Sequence, residues 1–142
     1  HLSDAALISV HALAGLAAEP GRLVQGKALA SAIGASENHL AKVMQRLVKT
    51  GFVRSVKGPS GGFALAIQAR DITFRAAIEA VDGPLSGDFC PFSTDHCNPA
   101  NCIFGHAIST HAGELVRYLE KRTIGDIGVN GNIMPALRGT AK

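Results

Sequence analysis

Ser36-Glu37-Asn38-His39-Leu40-Ala41-Lys42-Val43-Met44-Gln45-Arg46-Leu47-Val48-Lys49-Thr50-Gly51 decides how this chain is read. Ser36 is a good helix N-cap, and Glu37 puts an acid in the first turn, where the helix dipole favours it. Leu40, Val43, Met44, Leu47 and Val48 recur at i, i+3, i+4, i+7 and i+8, an apolar stripe of helical period. Asn38, His39, Lys42, Gln45, Arg46 and Lys49 fall on the other face, and Gly51 stops the helix. Just upstream, a short helix is expected over about Gly26 to Ile33, with Leu29, Ala30 and Ile33 at helical spacing. Gly34-Ala35 then makes a tight turn. A short helix, a turn with glycine and a longer helix form a helix-turn-helix pattern.

Working outward, Phe52–Lys57 alternates as a strand, Gly58-Pro59-Ser60-Gly61-Gly62 turns, and Phe63–Ile67 returns. A hairpin directly after a helix-turn-helix is a wing. Its flexible tip, at Ser60 and Gly61, carries no charge and is flanked by Lys57, so backbone N–H groups and a cation can approach phosphate. Before the helix-turn-helix, Asp4–Ala18 is expected to be a helix capped by Asp4. Its apolar face is Leu7, Ile8, Val10, Leu13, Ala14 and Leu16, and Glu19-Pro20-Gly21 ends it. After the wing, Thr73 caps a fourth helix over Phe74–Val81, closed by Asp82-Gly83-Pro84. A last long helix is expected from about Ile103 to Arg122. Phe104, Ile108, His111, Leu115, Tyr118 and Leu119 form a narrow stripe at near-heptad spacing, which suits pairing with another helix.

The expected fold is therefore mainly α with a small β-hairpin: a winged helix-turn-helix plus a long C-terminal dimerisation helix. Residues 1–82 form the winged-helix domain, 83–102 a cysteine loop, 103–125 the dimerisation helix, and 126–142 a flexible tail.

Charge supports a polyanionic partner. The net charge of the 142 residues is only +3. Between Gly21 and Arg70, however, eight basic residues (Arg22, Lys27, Lys42, Arg46, Lys49, Arg54, Lys57, Arg70) meet one acid, Glu37. That stretch carries +7, leaving −4 elsewhere. Arg46, Lys49, Arg54 and Lys57 suit phosphate contacts. A single lysine is more often a solvated charge, but the collective bias marks a binding face. Asn38 can read adenine, and Lys42 can reach guanine or phosphate. No apolar run nears the roughly 18 residues of a membrane helix and no leader is seen, so a soluble, cytoplasmic protein is expected. Paired carboxylates, a Ser-His-Asp set and a phosphate loop are all missing, so the chain reads as a non-enzyme.

All three cysteines, Cys90, Cys97 and Cys102, lie in one short segment with Pro91 and Pro99, between the last two helices. An odd number without a signal peptide argues against a secreted disulfide scaffold. Three thiolates supply three of the four ligands that an iron–sulfur cluster or a tetrahedral zinc needs. Structural zinc and a thiol–disulfide switch remain open, because spacing does not choose the metal and nearby thiols can pair on oxidation. His96 and His106 are nearby donors.

Three stretches carry a resemblance: Ser36–Leu40 continuing through Arg46–Val53, Ser55–Phe63, and Ala80-Val81-Asp82-Gly83 ahead of a three-cysteine loop. Together they are similar to the winged-helix bacterial repressors typified by IscR and NsrR, the Rrf family, over about Leu2 to Gly128. The resemblance implies a homodimer paired through the last helix, bound to partly palindromic double-stranded promoter DNA, with a 2Fe–2S or 4Fe–4S cluster on the three cysteines. Cluster loss, oxidation or nitrosylation would then set DNA affinity. It places base and phosphate reading at Ser36, Asn38, His39 and Lys42. Ala41 stands where one branch of the family has an acid, which implies a different operator. For the fourth ligand the resemblance points first to Asp4, in Asp4-Ala5-Ala6-Leu7, reaching the partner subunit's cluster. His106 ranks second, because it falls four residues after Cys102 where family histidines fall three after, and His96 third. The implied function is a DNA-binding regulator, as a repressor, sensing nitric oxide, redox state or iron–sulfur status. The rivals are the same fold with zinc or a disulfide switch, an iron–sulfur electron carrier, and a protein-binding adaptor.

Overall fold

The computed structural model describes residues 2–86 and 97–128. Six helices and one hairpin follow in order: α1 (Asp4–Ala17), α2 (Gly26–Ile33), α3 (Glu37–Lys49), β1 (Val53–Val56), β2 (Gly62–Leu65), α4 (Phe74–Asp82), α5 (Ala107–Lys121) and α6 (Ile124–Gly128).

α1 is the centre of the core. Ala6, Ile8, Ala12, Leu13 and Leu16 are buried and join residues from α2, α3, α4 and α6. Each fully buried leucine contributes roughly 1.5–3 kcal/mol. Ser9 is fully buried on the same face. Its hydroxyl lies 2.7 Å from the Ala6 carbonyl and 3.2 Å from that of Ala77, which ties α1 to α4 and leaves no buried polar group unpartnered there.

α1 is capped by Ser3 rather than Asp4: Ser3 Oγ accepts from Ala6 N–H at 3.0 Å, and Asp4 is the first helical residue. Capping depends on an extended backbone just outside the helix, and Ser3 has it. The caps expected at Ser36 and Thr73 are in place, accepting from His39 and Ala76 N–H respectively. Between α2 and α3, Gly34 holds φ 79°, a left-handed geometry that a residue with a Cβ adopts at a cost.

The two strands pair antiparallel, Val53 with Leu65 through Val56 with Gly62. A third segment joins them. Val24 and Phe63 exchange two backbone hydrogen bonds of 2.8 Å, so the chain two residues before α2 extends the wing sheet.

The C-terminal elements differ from expectation. α5 starts at Ala107, because Gly105 and His106 both have positive φ and break the helix upstream. Leu119 points inward with Ala112 and Val116, all buried, so it leaves the outer stripe. Asp126–Gly128 finish α6 instead of opening a tail, and Ile124 is fully buried with its N–H donated to the Ile72 carbonyl at 2.8 Å. The chain from Leu119 to Ile127 thus shares its core with the winged helix. Residues 129–142 lie outside the described residues.

Candidate nucleic-acid interface and cysteine segment

The candidate recognition face is on α3. Leu40, Val43, Met44 and Leu47 are buried, which turns Asn38, Lys42, Gln45, Arg46 and Lys49 outward. Ser36 is exposed although its hydroxyl is engaged with His39 N–H at 3.1 Å, and His39 is half-buried. Lys42 and Lys49 project freely into solvent on this face, in keeping with contact to a phosphate backbone. Arg46 is different. Its guanidinium Nη1 donates to the Val81 carbonyl at the end of α4.

In the wing, Arg54, Lys57 and Ser60 are exposed. Gly61 is buried, and its N–H is donated to the Gly58 carbonyl at 3.0 Å. That N–H is therefore taken up by the turn itself. Gln25 Nε2 donates to the Pro59 carbonyl at 3.3 Å, tying the wing tip to the start of α2. Val24 and Gln25 were missed in the sequence because neither belongs to a periodic segment. Their pairing partners are distant in sequence.

Asp4 is exposed at the root of α1. Together with Leu7 and His11 it lines an open cleft of about 380 Å³, whose other wall is Ser36 and His39. The start of α1 and the start of the recognition helix therefore share one surface depression.

Two of the three cysteines are described. Cys97 and Cys102 are free thiols, both half-buried. Between them, Asn98 Oδ1 caps a single 3-10 turn over Pro99–Asn101 by accepting from Ala100 N–H at 3.0 Å. Proline in the first turn suits this geometry, since it has no N–H to leave unpaired. His106 is exposed and holds φ 64°, unusual for a residue with a side chain. Cys90 and His96 lie outside the described residues. Among the described residues, no three His, Cys, Asp or Glu side chains are grouped to hold a metal ion. Cys97 and Cys102 are free soft donors of a kind that suits iron–sulfur or zinc ligation.

The segment that leads from α4 toward the cysteines is held by charge. Arg75 Nε pairs with Glu79 Oε1 at 2.6 Å, its Nη1 reaches Glu120 on α5, and its Nη2 donates to the Leu85 carbonyl at 3.1 Å. Leu85 N–H returns a bond to Glu79 Oε2 at 3.2 Å. On α5, Leu115 and Tyr118 are exposed, Tyr118 by 52%, and Phe104, just before the helix, is exposed as well.

The sequence profile of the Rrf2 family, described as an iron-dependent transcriptional regulator, matches residues 2–130. This chain belongs to the Rrf2 family. An HTH-type transcriptional regulator of Aquifex aeolicus is 34% identical over 130 residues, covering 88% of this chain and 89% of that protein. Among solved structures, CymR, the global cysteine regulator of B. subtilis, superposes with a TM-score of 0.74 at 20% identity, over 92% of this chain and 97% of its own. T. potens IscR superposes with a TM-score of 0.69 at 25% identity, over 92% of this chain and 87% of its own.

Membership of the Rrf2 family makes the chain a winged-helix transcription regulator and not an enzyme. Among the described residues, no helix is long and apolar enough to cross a membrane.

Proposed function

We propose that this Rrf2-family regulator is a homodimer whose promoter affinity is set by an iron–sulfur cluster held by Cys90, Cys97 and Cys102, acting as a repressor in the cytoplasm. The observation that carries this reading is the placement of two free thiols, Cys97 and Cys102, directly before α5. The α5 outer face, with Ile108, His111, Leu115 and Tyr118, is the pairing surface with a second copy, and Phe104 just before the helix joins it.

Asp4 of the partner subunit is the preferred fourth ligand, because Ser3 performs the capping that would otherwise explain an acid at that place. A carboxylate oxygen is exchanged more readily than a thiolate, which suits a sensor. His106 stands next and His96 third. When bound, the cluster supplies a centre sensitive to nitric oxide, oxidants and iron supply. The chain's own part is mechanical. Cys97 and Cys102 fix the segment that enters α5, and the two recognition helices of a dimer must sit one DNA turn apart, about 34 Å. On the DNA side, Ser36, Asn38, His39 and Lys42 meet bases and phosphates, and Lys49, Arg54, Lys57 and Ser60 meet phosphates.

Anaerobic purification followed by visible absorption, iron and sulfide analysis, and mobility shift on the protein's own promoter tests this. Cluster absorbance that disappears in Cys90→Ala, Cys97→Ala or Cys102→Ala, with a change in DNA affinity, is the expected result. A colourless protein with stoichiometric zinc, or one whose affinity follows only thiol oxidation, would replace the cluster with the zinc or disulfide reading. A coloured protein without salt-dependent DNA binding would make it an electron carrier.

A further inference from the structure

Polar contacts from three directions converge on the last turn of α4. From α3, Arg46 Nη1 donates to the Val81 carbonyl. From the root of α1, Ser3 Oγ donates to Asp82 Oδ1 at 2.5 Å. From the chain that continues toward Cys90, Leu85 N–H donates to Glu79 Oε2, and Arg75 grips both Glu79 and the Leu85 carbonyl.

Each contact meets a local need. The Val81 carbonyl is among the last four of α4, which have no partner further along the helix. A guanidinium satisfies it with a charge-assisted bond at the negative end of the helix dipole. Asp82 is an acid at that same end, where the dipole disfavours it, so helix stability does not explain its presence. Its bond to Ser3 does give it a task. Val81 itself is buried, so a shift of this turn cannot be absorbed by empty space.

We propose that Arg46 is a positioning residue: through Val81 it couples the last α4 turn, and with it the entry to the cysteine segment, to the orientation of the recognition helix, and the Ser3–Asp82 bond extends that coupling to α1. The inference rests on the reading that the state of the cysteine segment governs DNA affinity. Spacing on α3 alone makes Arg46 a phosphate contact, and the two roles differ in what they do to the response.

The experiment measures promoter affinity with the cluster in place and after its removal by chelation, for the unaltered protein, Arg46→Ala, Arg46→Lys and Asp82→Ala. The readout is the ratio of the two affinities, with the salt dependence of each. In Arg46→Ala and Asp82→Ala the ratio is expected to fall toward one, by roughly threefold to thirtyfold. Arg46→Lys, which keeps a cation but loses the planar fork, is expected to give an intermediate ratio with an unchanged salt slope. An unchanged ratio in Arg46→Ala, with both affinities weaker and the slope of log K against log salt reduced by about 0.9, makes Arg46 a phosphate contact and overturns the coupling. Asp82 is an acid and offers no cation to a phosphate, so its variant decides the matter if Arg46→Ala does not fold, as judged by circular dichroism. A ratio of one in the unaltered protein overturns the sensor reading itself, and the coupling with it. That result is visible before any variant is compared.

Discussion

Gly61 and Val56 stand so close in the wing that a Cβ on Gly61 would lie 2.0 Å from the Val56 carbonyl oxygen. No contact of that length is tolerated, so the backbone would have to move. The turn it closes is tied on both sides: Gly61 N–H to Gly58, Gly62 in register with Val56, and Gln25 to Pro59. The wing tip is a fixed shape. Its glycines permit close approach of backbone to backbone, and that approach is internal to the protein.

Gly61→Ala is therefore expected to destabilise the fold by about 1–3 kcal/mol and to weaken promoter binding by moving Lys57 and Ser60. Ser60→Ala, at an exposed neighbouring position, should change stability by less than about 0.5 kcal/mol. Urea titrations of the two variants check the contrast. Equal midpoints would show that the turn yields at no cost.

Ser3 and Asp4 separate capping from ligation. Ser3→Ala removes the α1 cap and its bond to Asp82 and should cost about 1–2 kcal/mol. Asp4→Ala should leave the unfolding midpoint nearly unchanged, since Asp4 is exposed and does not cap, while cluster stability or absorbance changes. Denaturation beside visible spectra of the two variants reads both effects. A large loss of stability in Asp4→Ala with unaltered spectra would return Asp4 to a purely structural role.

Much of this molecule is legible in the sequence. Leu40, Val43, Met44 and Leu47 announce α3 by period, and all four are buried. Ser36 and Thr73 announce their caps by type. What escaped was set by tertiary partners. Val24 pairs with Phe63 across 39 positions of sequence and has no pattern of its own. Arg46 has the spacing of a surface cation, and only the packing of α4 against α3 shows where its guanidinium goes. Leu119 fits an outer stripe at near-heptad spacing, yet the inward stripe Ala112, Val116 and Leu119 is equally regular. Which stripe faces the core depends on α4, which the sequence of α5 does not contain.

On the DNA side, Lys42→Ala should weaken binding and lower the slope of log K against log salt by about 0.9, as the loss of one phosphate contact requires. Asn38→Ala should instead leave the slope alone and relax preference at one base pair, at a cost of roughly 1–3 kcal/mol on the preferred site. Mobility shifts at several salt concentrations on operator and scrambled DNA distinguish them. Parallel slopes for Lys42→Ala and the unaltered protein would remove Lys42 from the interface.

The two faces of α5 give the last contrast. Leu119 is 5% exposed and Tyr118, its neighbour in the chain, 52%. Leu119→Ala should lower the stability of the chain by roughly 2–5 kcal/mol, because it opens a cavity in the core. Leu115→Asp and Tyr118→Asp should leave each chain folded and act on association, since a buried unpaired carboxylate in a helix pair is strongly unfavourable. The Arg122 guanidinium lies 5.6 Å from the centroid of the Tyr118 ring, and Arg122 Nε is buried with no hydrogen-bond partner among the described residues. Sedimentation equilibrium is expected to show a dimer for the unaltered protein and a monomer for both aspartate variants, with promoter affinity lost in the monomer because one half-site contact replaces two. Dimers that survive both substitutions would move the pairing surface off α5.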